Sequence, residues 1–205
     1  MVTAALVVPD SALESARELL GSTRMALEAA GQGEASDVGA ALRAGRSGEP
    51  VLFVPPGVRI AAGLACILVS HEGSPDVAPG LKAARELAQG SGARIVVLHV
   101  PAAQVPRRPG SLPAPRFADR PHHEWREWRR EFERRFLAHV SDCRCALEVA
   151  IGQPARVLVR EARRLPADLI VTTWKADASA GHAKTLRAVL EETPCPVLVV
   201  VESEP

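Results

Sequence analysis

From Ala65 onward the chain alternates short apolar runs with stretches of 3.6-residue periodicity, a pattern that few folds accept. The runs "CILVS" (66–70), "RIVVLHV" (94–100), "ALEVAI" (146–151), "DLIVTT" (168–173) and "PVLVVV" (196–201) read as strands. Between them "LKAARELAQGSG" stops at Gly90 and Gly92, a further helix spans about 122–140, "ARVLVREARRL" is closed by Pro166, and "TLRAVLEET" is closed by Pro194. Five strands and four helices in this order predict βαβ units and a mostly parallel sheet in one α/β layer structure.

Residues 101–121 hold six prolines together with Gly110 and Ser111, so they read as an irregular loop. The loop leaves the carboxyl end of the second strand, where a lid over a ligand would sit. The helix after it carries Trp125, Trp128, Phe132, Phe136 and Val140 on one stripe, the spacing of a core-facing amphipathic helix. Its arginines at 126, 129, 130, 134 and 135 are interleaved with Glu124, Glu127, Glu131 and Glu133, which reads as a solvated face rather than a nucleic-acid surface.

Charge and hydropathy narrow the function classes. Lys and Arg number 25 against 24 Asp and Glu, a formal charge of +1, which argues against a nucleic-acid or membrane-surface footprint. No apolar run approaches the roughly 18 residues of a membrane span, and the first thirty residues lack a secretion-signal pattern, so the expectation is a soluble cytoplasmic protein. Cys66, Cys143, Cys145 and Cys195 fit neither a disulfide framework nor zinc spacing, so no metal is expected. No G-x-S-x-G, H-E-x-x-H or complete Walker A motif is present, and no catalytic residue is assigned.

"ILVSHEGS" (67–74), "GARIVVLHV" (92–100), "EVAIGQPARVLVREARRLPADLIV" (148–171) and "TPCPVLVVV" (193–201) resemble the universal stress protein family in order and spacing. Gly152, Pro154, Ala167, Asp168, Leu169, Ile170 and Val171, followed by Pro194, Cys195 and Pro196, carry the resemblance, which covers about residues 65–202. It implies an α/β fold: a Rossmann-like, doubly wound, five-stranded parallel sheet with helices on both faces, in a family whose members often dimerise through the last strand.

In relatives that bind ATP, the resemblance implies an aspartate after the first strand, a valine ending the second, a Gly-x-x-Gly turn after the fourth, and a Gly-Ser or Gly-Thr opening the last helix. Glycines there let backbone N–H groups approach phosphates at a helix N-terminus. The aspartate position is Glu72 here, long enough to accept ribose hydroxyls, and Val100 is retained as either adenine wall or core. The turn maps onto Thr173, Trp174, Lys175 and Ala176, so both glycines are gone, and Trp174 stands where a triphosphate would lie. The Gly-Ser pair falls on Ala183 and Lys184, after a loop about three residues shorter than usual. Gly181, His182, Lys184 and Thr185 form the remaining cluster, with Lys175 and Lys184 available to neutralise a phosphate or a smaller anion. His71 and His99 sit on neighbouring strands as an apparent acid/base pair, but no ligand trio accompanies them, and a core role is expected.

The first sixty residues form a separate unit, 1–60, ahead of the domain at 61–205. "TAALVVPD" (3–10) resembles the family's fourth strand, and "ALRAGRSGEPVLFVPPG" (41–57) resembles the end of its last helix and its last strand. Residues 31–40 are loop-like. The segment reads as an N-terminal partial α/β copy of the domain, or as an unrelated extension. Two strands cannot stand alone, so Val51–Val54 is expected to pair with Val197–Val201, making a pseudo-dimer of one and a half domains.

Three functions follow from these readings. The first is a stress-response regulatory or interaction module, working through a protein partner as a homodimer or pseudo-dimer, with nucleotide binding reduced or lost. The alternative is an ATP or AMP sensor using a non-standard phosphate loop. The third, a nucleotide hydrolase with Glu72 or His71 as base, needs phosphates held in place, which the altered loop opposes.

Overall fold

The elements run β1 (Val2–Val7), α1 (Leu13–Gly21), β2 (Met25–Glu28), β3 (Val51–Phe53), β4 (Cys66–His71), α2 (Ala78–Ser91), β5 (Arg94–His99), α3 (His123–Phe132), β6 (Cys145–Val149), α4 (Pro154–Arg164), β7 (Leu169–Trp174), α5 (Ala180–Glu192) and β8 (Val197–Val201). The structure, a computed structural model, describes residues 2–8, 13–21, 25–28, 50–101, 109–115, 123–174 and 180–201. The loop-like stretch 31–40 and the helix end expected at 41–49 lie outside the described residues.

The strands form one sheet in the order β2-β1-β3-β8-β7-β4-β5-β6. β4 to β8 are mutually parallel, the five-stranded unit expected from the apolar runs. They read as continuous apolar runs because helices bury both faces. Ile67, Val69, Ile95 and Val97 point to one side with Leu81, Leu87, Phe132 and Phe136 from α2 and the α3 region. Leu68, Val96 and Ile170 point to the other with Val157 and Leu158 of α4 and Val189 of α5. The period of two along each strand thus splits one sheet into two cores.

The helix expected over 122–140 is α-helical only to Phe132, then makes a π turn over Glu133–Leu137 and a 3-10 turn over Ala138–Val140. The aromatic stripe explains the change. Its last three residues are spaced by four, and an ideal 3.6-residue helix would rotate them steadily off the core. The wider π turn restores the alignment, leaving Phe136 and Val140 buried beside Phe132.

The N-terminal strands extend the same sheet. β1 pairs in parallel with both β2 and β3, and β3 pairs antiparallel with β8, Val51 opposite Val199 and Phe53 opposite Val197. This is the Val51–Val54 pairing expected from the sequence, and it is dry, since Val51, Leu52 and Phe53 have at most 1% of their surface exposed. α1 and β2 were not anticipated. On the far side β6 ends the sheet: Arg144 O and Ala150 N face β5. By alternation Leu147 O faces outward, where the Arg129 guanidinium donates to it at 2.7 Å. Among the described residues, no helix is long and apolar enough to cross a membrane.

Candidate functional site

The chain moves from β4 outward through β5 to β6, then returns to the opposite side of β4 as β7. The carboxyl ends of β4 and β7 therefore lie at a topological switch point, where the connections diverge and leave a crevice. Glu72 follows β4, Val100 follows β5, and Thr173 lies one residue before the end of β7, so the fold brings these three to one end of the sheet. Ala183, Lys184 and Thr185 enter with α5; Lys175 and Ala176 lie outside the described residues.

Three contacts fix the loop that carries Glu72. The Ser74 hydroxyl donates to Glu72 Oε1 at 2.8 Å, the Gly73 N–H donates to His71 Nδ1 at 3.0 Å, and Gly73 O accepts the Leu112 N–H at 2.8 Å. Gly73 has φ +84°, and a Cβ there would lie 3.1 Å from His99 Cε1 and 3.2 Å from Leu112 O. Glycine is needed for both the backbone angle and the close approach.

His71 and His99 are buried, at 3% and 2% exposure. The His99 Nδ1–H donates to His71 O at 2.8 Å, which places a proton on that nitrogen, and His71 Nδ1 accepts from the Gly73 N–H, which makes the His71 ring neutral. Phe132 meets His71 edge-on at 4.8 Å between ring centres, and Trp128 lies 5.0 Å from His99. Burial holds the His71 pKa down to about 3, with His99 adding to the fall and Glu72 opposing it. Burial also lowers His99, against the hydrogen bond to His71 O. These are core histidines that brace the Glu72 loop against α3, as the lack of a ligand trio suggested. Among the described residues, no three His, Cys, Asp or Glu side chains are placed to hold a metal ion. Burial raises Cys143, and raises Cys145 and Cys195 to about 11 and 12, keeping these thiols protonated.

At the phosphate side the structure corrects the expected turn. β7 does not end at Thr173 but continues through Trp174, with Thr173 opposite Val200 and Trp174 opposite Val201. Extended backbone needs no positive φ, which removes the strain a β-branched residue would meet in a Gly-type turn. Thr173 turns toward α2, where a Cβ on Gly80 would collide with its Oγ1. Trp174 is 5% exposed and shares a buried cluster with Leu186 and Val189 of α5. The last helix begins at Ala180, five residues before the expected Thr185, so Gly181, Ala183 and Lys184 belong to its opening turns instead of preceding it.

On the α4 and α5 side, the Ser70 hydroxyl donates to Thr172 Oγ1 at 2.9 Å. Val100, Ala150 and Ala155 pack half-buried against the same core, so Val100 faces this side of the crevice. Neither the Ser70–Thr172 pair nor the Gly80–Thr173 approach was read from the sequence. Each joins residues about a hundred positions apart, and no local pattern announces either.

The model of the universal stress protein family matches residues 66–201. The chain belongs to the universal stress protein family. No curated protein sequence matches it. Among solved structures, a functionally unknown protein of Pseudomonas aeruginosa PAO1 is 17% identical, with 98% of this chain and 93% of that one covered at a TM-score of 0.58. A universal stress protein of Archaeoglobus fulgidus DSM 4304 is 16% identical at a TM-score of 0.57, with 77% of this chain covered. The present chain spans about half, 51%, of that protein's length. A second Archaeoglobus fulgidus universal stress protein, solved in complex with dAMP, is 16% identical with 69% and 99% of the two chains covered at a TM-score of 0.47. The Pseudomonas likeness takes in the N-terminal strands as well as the universal stress protein domain, with 98% of this chain covered.

Proposed function

We infer that this universal stress protein is a regulatory or interaction module of the stress response in which nucleotide binding has been reduced or lost. One observation carries the reading: at Thr173, the first of the two positions where ATP-binding relatives are expected to carry a turn glycine, β7 continues as strand into Trp174, which packs in a buried cluster with α5. Backbone N–H groups engaged in a strand ladder are not free to cradle phosphates. An ATP or AMP sensor remains the alternative, with Glu72, Lys175, Lys184 and Thr185 holding the nucleotide. The experiment is to denature the purified protein, assay released adenine nucleotide, and titrate folded protein with ATP and AMP by calorimetry. The expected result is no retained nucleotide and no ATP binding below millimolar concentration; micromolar ATP affinity would reject this reading in favour of a nucleotide sensor.

The N-terminal segment fits a partial second copy of the domain. β1 lies parallel beside β3 as β7 lies beside β8, and the two pairs meet antiparallel at β3 and β8, an arrangement that supports a pseudo-dimer of one and a half domains. On this reading the edge through which relatives dimerise is filled within the chain, and partners are met on other surfaces.

A further inference from the structure

We propose that Cys143 and Cys145 form a two-coordinate site for a soft monovalent cation, Cu(I), at the edge of the sheet. The inference is independent of the crevice and of whether a nucleotide binds there.

The two thiols stand on one face of one strand. β6 presents Cys145, Leu147 and Val149 to the α2 and α3 core, and Cys143, two residues before Cys145, packs against the same core. Side chains two apart on an extended chain share a face. Between them Arg144 is held in the ladder, its carbonyl accepting the Ile95 N–H at 2.8 Å, and the Cys143 N–H donates to Val140 O at 3.0 Å, which ties the pair to the end of the α3 region. β6 is the outermost strand on this side of the sheet. Both thiols are half-buried, whereas Cys66 and Cys195 are buried. An ion arriving from solvent therefore meets a fixed pair of sulfurs and not the two thiols of the core.

Geometry selects the occupant. Alpha carbons two residues apart on a strand lie about 6.6 Å from each other, near the upper limit of roughly 6.8 Å for a disulfide. An ion with sulfur bonds of about 2.3 Å asks only that the two sulfurs come within about 4.6 Å of each other, which rotation about the two Cα–Cβ bonds supplies. The adjacent carboxylate is engaged elsewhere: Asp142 takes the Arg85 guanidinium at 2.7 Å and the Gln89 amide at 2.8 Å. Among the described residues no third His, Cys, Asp or Glu completes a ligand set. Zinc, which takes four ligands in structural sites, is left unsatisfied here, and a soft ion that accepts two thiolates is favoured. Burial raises both thiols, Cys145 to about 11 with Cys143 and Glu133 adding to the rise, so the ion must displace protons. On binding, two S–H bonds break, two protons pass to water and two sulfur–copper bonds form, with no change of oxidation state.

The test uses the full-length protein, reduced and kept free of oxygen, titrated against the coloured Cu(I) complex of bicinchoninate. The parent is expected to withdraw one Cu(I) per chain from the chelator. Cys143→Ser and Cys145→Ser, near-isosteric changes whose folding is checked by thermal melts, should each weaken the affinity at least a hundredfold. The double variant keeps Cys66 and Cys195 and should withdraw none. Failure of the parent to withdraw copper would overturn the proposal, and so would withdrawal that survives in the double variant. A single variant that binds as the parent does would reduce the site to one thiol and overturn the pair. Displacement of the bound Cu(I) by equimolar Zn(II) would overturn the two-coordinate assignment.

Discussion

Asp168 and Cys66 hold each other at both ends of their peptide groups: the Asp168 N–H donates to Cys66 O at 2.9 Å, and Asp168 Oδ2 accepts the Cys66 N–H at 2.9 Å. The same oxygen accepts the Ala65 N–H at 2.8 Å. The carboxylate thereby joins the amino ends of β4 and β7, the two strands whose carboxyl ends make the crevice.

Hydrogen bonds to a charged acceptor are worth more than neutral ones, so Asp168→Ala is expected to lower stability by ~2–3 kcal/mol. Asp168→Asn, which keeps one acceptor oxygen, should lose less. Urea denaturation of the two variants checks the order; equal losses would assign the effect to packing.

Gly80→Ala sets helix propensity against space. Alanine favours α2 by about 1 kcal/mol, but the collision with Thr173 Oγ1 costs ~1–3 kcal/mol, so a net loss near 1 kcal/mol is expected. In a Thr173→Ala background the collision is gone, and the same substitution should stabilise. A double-mutant cycle without that change of sign would contradict the packing of α2 on β7.

Acid sensitivity follows from His71. Its folded pKa of about 3 lies below the ordinary histidine value of 6.5, so between those two pH values the unfolded chain binds a proton that the folded chain refuses. Stability should be independent of this group above pH 6.5, and fall by up to ~1.4 kcal/mol per pH unit as pH drops below it. Glu72 and His139 act on the same ring with opposite signs. His71→Phe should flatten the stability profile between pH 7.5 and 5; an unchanged slope would assign the acid response to other groups.

Removing residues 1–60 should expose the outer edge of β8, an apolar strand whose five residues are all buried in the complete chain. Unpaired edges of this kind recruit other strands, so a chain of 61–205 is expected to run as a dimer or larger species in light scattering. A stable monomer would show that the edge is protected by other means.

The five-stranded unit was legible because strands covered on both faces must be apolar throughout, and turns closed by Gly92, Pro166 and Pro194 punctuate them. β2 escaped notice because "MALE" is four residues of mixed character, and α1 because nine residues give a short periodic signal. The start of α5 was read five residues late: Ala180–Lys184 offers little apolar periodicity and a glycine, which local propensity reads as loop. At the carboxyl end of the sheet, the apolar runs placed Glu72 just after β4 and Val100 just after β5. They did not show that β7 extends to Trp174, because strand continuation depends on the partner Val201, which is distant in sequence.

The antiparallel join of β3 to β8 also orders events in time. β8 is made more than a hundred residues after the β3 it pairs with, so β1 to β3 must wait for that stretch of synthesis before the sheet is joined. Until then they are hydrophobic segments without a template, and a nascent chain of this protein has good reason to meet a chaperone.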